Sequence, residues 1–104
     1  MHQNILDRRS EIARLCERFG IARLGIFGSA TSDAFDPATS DIDVIIDFTD
    51  AGRGKAFDNY FGLKEELTCL LGRSVDLVTR ASIANSVFMR EVEATTEVIY
   101  AQAA

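Results

Sequence analysis

The chain has 104 residues, 47% of them hydrophobic and 26% charged, with a formal charge of −5. That length predicts one domain, residues 1–104, with a core of its own. The acidic balance excludes free nucleic acid as the main partner, because phosphate binding needs a basic surface. No apolar run approaches the ~20 residues that span a bilayer, so no membrane partner is expected.

Met1-His2-Gln3-Asn4 starts no signal peptide, and His2, the sole histidine, lies in a terminal segment without a role. Next, Ile5, Ile12, Leu15, Cys16 and Phe19 form one stripe at helical spacing, which predicts a helix capped by Asn4 and stopped at Gly20. Ile21–Phe27 reads as a first strand ending at Gly28-Ser29. Ala30–Ser40 is polar and holds the only proline, so it reads as a loop or short helix, then a loop, with Asp33 and Asp36 as turn residues.

Asp41–Phe48 is a second strand, and Thr49–Asn59 reads as a flexible, locally basic linker. Phe57, Phe61, Leu63, Leu67, Leu70 and Leu71 then mark a second long helix, closed by Gly72. Ser74–Thr79 is a third strand, a helix covers roughly Ile83 to Glu93, and EVIYA closes the chain as a short strand. The order predicts an α/β (α+β) fold, a small sheet with helices packed on one face. Cys16 and Cys69 fall on helices without metal-type spacing, which predicts buried free thiols in a reducing cytoplasm.

Acids inside a good strand need a reason. Side chains alternate faces along a strand, so Ile42, Val44, Ile46 and Phe48 share one side and Asp41, Asp43, Ile45 and Asp47 the other. The first set is continuous and apolar and should meet the helices. The second places the Asp41 and Asp43 carboxylates ~6.5–7 Å apart at Cβ, twice the strand rise. Such neighbours repel unless a cation joins them, and Mg²⁺ takes oxygen ligands of this kind together with substrate phosphates. Asp76, between Val75 and Leu77, would point to the same side.

Three acids on adjacent strands suit two metal ions ~3.5–4 Å apart, an arrangement for in-line nucleotidyl transfer. Gly28-Ser29 supplies the complement, because glycine lets backbone N–H groups approach a phosphate and serine adds a donor. Asp47 lies ~13 Å from Asp43 by strand rise and is expected in solvent.

These residues resemble a known signature. The stretch GSATSDAFDPATSDID, with a third aspartate on a later strand, is similar to that of the DNA polymerase β-like nucleotidyltransferases. YFGLKEELTCLLGRSVDLVT and NSVFMREVEATTEVIYA extend the likeness to the minimal nucleotidyltransferases, antitoxin-type proteins found beside a HEPN-domain partner.

The resemblance implies a polymerase β-like fold, with metal at Asp41, Asp43 and Asp76 and phosphate at Gly28 and Ser29. It implies two Mg²⁺ ions, ATP as substrate, and AMP transfer to a tyrosine hydroxyl of a HEPN toxin. That describes the antitoxin of a type VII-like pair, working in a hetero-oligomer. The alternatives are neutralisation by binding alone, or transfer to a small molecule.

The chain departs from the pattern in a slightly longer loop, Ala30–Ser40, and in Thr31, Ser32 and Asp33 where many relatives carry arginine. Arg53 and Lys55 are candidates to replace that cation. About 25 residues follow the third strand, too few for an acceptor-holding domain, which favours a protein acceptor. Phe88, Met89 and Val92 on the last helix are candidates both for docking it and for core packing.

Overall fold

The computed structural model describes residues 3–27, 42–80 and 86–102. Gly28, Ser29 and Asp41 lie outside them, as do Thr31, Asp33 and Asp36.

The elements follow in the order α1 (Gln3–Asp7), α2 (Arg9–Arg18), β1 (Ile21–Phe27), β2 (Ile42–Phe48), α3 (Asp50–Arg53), α4 (Ala56–Leu71), β3 (Val75–Thr79), α5 (Ser86–Thr95) and β4 (Glu97–Ala101). The strands form one mixed sheet in the order β3-β2-β1-β4. β1 pairs antiparallel with β2 and β4, whereas β2 and β3 run parallel and are joined by the α3–α4 crossover.

Periodicity explains which side each element buries. Ile42, Val44 and Ile46 of β2 and Val75 and Leu77 of β3 meet Ile5 of α1, Ile12 and Cys16 of α2, and Leu63, Leu67 and Leu71 of α4. Leu67 sits among them at 1% exposure. Pairing is irregular between Ile21 and Arg23, so Ala22 is an extra residue. That bulge lets Ile21 and Leu24, three apart, both enter this core.

Helices α1, α2 and α4 thus cover one face, as the apolar pattern predicts. The fifth helix adds a second layer on the other face, where Val92 packs against Phe27 and Ile45. At 2% exposure Val92 is a packing residue. Met89 is half-buried, and the Phe88 side chain lies outside the described set.

Three expectations need correction. The first helix begins at Gln3, so Asn4 is inside it, and it breaks at Arg8, whose N–H donates to the Ile5 carbonyl. Cys69 is exposed, because Leu67, Leu70 and Leu71 take the inward side of α4 and leave it facing out.

The third concerns Thr49–Asn59, which is folded rather than a linker. The Thr49 hydroxyl accepts from the Gly52 N–H at 2.9 Å and caps α3. The Thr49 N–H donates to the Gly20 carbonyl at 2.9 Å, and the Asn59 amide donates to the Gly52 carbonyl at 2.9 Å. Gly20 has φ +67°, and a Cβ on it would lie 2.6 Å from the Gly52 Cα. Two glycines therefore let the α2–β1 and β2–α3 turns touch.

Gly72 ends α4 in the left-handed conformation, and the Tyr60 hydroxyl donates to the Leu77 carbonyl of β3. No helix among the described residues is long and apolar enough to cross a membrane.

Candidate active site

Parallel pairing sets the geometry of the acids. Asp43 of β2 and Asp76 of β3 are register partners, between the pairs Ile42–Val75 and Val44–Leu77. Ile42, Val44, Val75 and Leu77 are buried in the α1/α2/α4 layer. By alternation, both aspartates project to the opposite face. Neighbouring strands lie ~4.8 Å apart, so the two carboxylates stand within reach of one small cation. Asp43 is half-buried and Asp76 is exposed.

Phe27, the last residue of β1, is the antiparallel partner of Asp43. Gly28-Ser29 follows Phe27 directly in sequence. Among the described residues, which do not include Asp41, no group of three metal-ligating side chains occurs. Asp43 and Asp76 supply hard oxygen donors on one face, which fits Mg²⁺ and would suit neither a soft-metal nor a haem centre.

Arg53 and Lys55, the candidates to replace the missing basic residue, belong to the α3–α4 segment that follows β2. Arg53 follows the far end of β2, about 16 Å from Asp43 by strand rise, where it pairs with Asp50 at 3.4 Å. Lys64 shares an open groove with Thr68, Ser74, Val75 and Asp76 at the β3 edge. Its signal in sequence is its place on the α4 helix one turn from Thr68, and only the crossover brings that turn to β3.

Asp47 is half-buried rather than in solvent. It is the register partner of Arg23 and helps line a cavity between the sheet and α5. Alternation on β1 places Arg23, Gly25 and Phe27 on one side. The sequence carries no sign that Arg80 and Glu93 close that cavity, because their ion pair joins two separate elements.

A small mixed sheet, backed by helices and bearing acids on its other side, is an architecture for metal-assisted group transfer. The chain belongs to the nucleotidyltransferase domain family, which matches residues 10–100. It is 35% identical over 82 residues to the protein adenylyltransferase MntA of Thermococcus cleftensis, covering 75% of this chain and 78% of that protein. A solved structure classed as a minimal nucleotidyltransferase aligns with TM-score 0.76 at 27% identity, over 91% of this chain and 92% of the other.

The fold also matches a chain of the Shewanella oneidensis complex between an MNT antitoxin and a tri-AMPylated HEPN toxin. That alignment has TM-score 0.61 at 20% identity, over 93% of this chain and 72% of that one. The likeness to minimal nucleotidyltransferases read from the Gly-Ser and Asp-x-Asp stretch therefore holds, and the protein is an enzyme of nucleotidyl transfer.

Proposed function

We propose that this protein transfers AMP from ATP to a tyrosine hydroxyl of a HEPN-type toxin and thereby silences it. The observation that carries the reading is the facing of Asp43 and Asp76 across the parallel β2–β3 pair. The names of the relatives support it, one a protein adenylyltransferase and one an MNT antitoxin bound to an AMP-modified toxin.

In this reading Asp41, Asp43 and Asp76 would hold Mg²⁺, which would supply charge neutralisation at the triphosphate and easier deprotonation of the acceptor hydroxyl. Asp76, the exposed acid at the sheet edge, takes the acceptor proton. The acceptor oxygen forms a bond to the α-phosphorus, the bond to the bridging oxygen breaks, and pyrophosphate leaves. Backbone N–H groups at Gly28 and the Ser29 hydroxyl stabilise that leaving group.

The test is to incubate the protein with the helical protein encoded beside it, ATP and Mg²⁺, and to take the partner's intact mass. Wild type is expected to add AMP, and Asp43→Ala and Asp76→Asn are expected to cut the rate by about 10²-fold or more. Neutralisation without any mass change, surviving in Asp43→Ala, would overturn transfer in favour of silencing by contact.

A further inference from the structure

The sequence spaces Phe57 and Phe61 like the leucines that follow them, yet the fold leaves both outside the core. Phe57 is 75% exposed and Phe61 51%, with ring centroids 4.7 Å apart. Residues four apart share a helix face, so the two rings form one aromatic patch on the outer flank of α4. Paired exposed rings mark contact surfaces, where aromatic side chains anchor a partner. The last helix, the other candidate for docking, uses Val92 for packing.

The patch leads to the acids. Phe61, Lys64 and Thr68 line one open groove on α4. Lys64 and Thr68 also line a second, with Ser74 and Asp76 at the rim of β3. The two grooves therefore adjoin along Lys64 and Thr68. Asp76 is exposed and lies on the edge strand, so a molecule lying across the rim reaches it from the side.

We propose that this flank of α4 and the rim of β3 form the docking surface for the protein that carries the acceptor hydroxyl; the proposal rests on the adenylyl-transfer reading. The partner sets an apolar side chain on Phe57 and Phe61, a carboxylate at Lys64 and the acceptor hydroxyl at Asp76.

Span and charge both support that occupant. From Phe57 to Thr68 the helix rises about 16 Å, and the second groove carries the surface on to Asp76. A ligand that meets both ends is a macromolecule. Lys64 is the cation common to the two grooves, and it has no ion-pair partner among the described residues. It is therefore open to a carboxylate from outside. Glu65 in the first groove repels a phosphate backbone, which favours a protein over RNA.

The test uses the full chain with Mg²⁺ and the helical protein encoded beside it. Calorimetry reads the affinity for that partner and, separately, for α,β-methylene-ATP, which cannot release AMP; intact mass reads transfer. Phe61→Ser is expected to weaken the partner at least about tenfold and to raise its KM for transfer, while kcat and analogue affinity stay within about twofold. Lys64→Glu is expected to weaken the partner about threefold to tenfold and to reduce the salt dependence of binding. Phe57→Ser serves if Phe61→Ser does not fold. Val98→Ser, at an exposed position on the opposite edge of the sheet, is expected to stay within about twofold.

Unchanged partner affinity in the folded variants overturns the surface, and so does an equal loss of the ATP analogue. If Phe61→Ser splits a dimer of the chain alone while partner affinity holds, the face seats a second copy and the proposal falls. If the wild-type complex forms and the partner gains no AMP, the adenylyl-transfer reading fails and this one falls with it.

Discussion

Cys16 and Cys69 show how position sets the chemistry of one residue type. Cys16 is fully buried on α2, and its thiol is pushed from 9.0 up to about 12, by burial first and by the Glu17 carboxylate second. Cys69 stands exposed on α4. A thiol reagent at pH 8 is therefore expected to modify Cys69 quickly and Cys16 only after unfolding, as peptide mapping of the labelled sites would show.

The unfolded chain ionises residue 16 more readily than the folded chain does. The stability tied to this thiol is full below about pH 9 and is lost as pH rises towards about 12. Urea titrations between pH 9 and 11 should show a steeper decline in wild type than in Cys16→Ala, by up to about 1.4 kcal/mol per pH unit. Equal slopes would mean that residue 16 titrates alike in both states. The absence of metal-type spacing was readable in the sequence. The difference in exposure was not, because it depends on which side of α4 faces the sheet.

The strands were the most legible elements. Alternation in DIDVIIDF separated the apolar side from the acidic one before any fold was known, and β1 and β4 occupy the predicted spans. The α3 turn was hidden, because what holds it, the Gly52 contact with Gly20 and the Thr49 hydroxyl donating to the Gly20 carbonyl, joins residues far apart in sequence. Helix α4 was legible through its leucines, and it carries the crossover that aligns Asp76 with Asp43.

Leu67 lies in the middle of that helix, so Leu67→Ala is expected to cost about 2–5 kcal/mol in urea unfolding. Glu65→Ala, on the exposed side of the same helix, is expected to stay within about 0.5 kcal/mol of wild type. A small loss at residue 67 would mean that the α4–sheet layer packs more loosely than its burial indicates.

At the scale of the whole molecule the sheet is covered unequally. Among the described residues three helices pack on one side of the sheet and α5 packs on the other, against Phe27 and Ile45, while Asp43 and Asp76 pair at the β2–β3 end. The sequence foretold the covered side from its continuous apolar residues. It could not foretell that α5 crosses over, because a ten-residue helix with a mixed surface can satisfy either side.

Tyr60 has an effect that reaches beyond its own helix. The Ser74 carbonyl accepts from Ile42, so alternation turns the backbone groups of Val75, Leu77 and Thr79 away from β2, to the rim of the sheet. The tyrosine hydroxyl occupies the middle acceptor of that row. A stray strand from another molecule would have to displace it before adding on, so the rim is guarded against edge-to-edge pairing into fibrils. Tyr60→Phe should therefore aggregate faster on gentle heating, with light scattering rising at a lower temperature than in wild type; identical onsets would show that the rim needs no such guard.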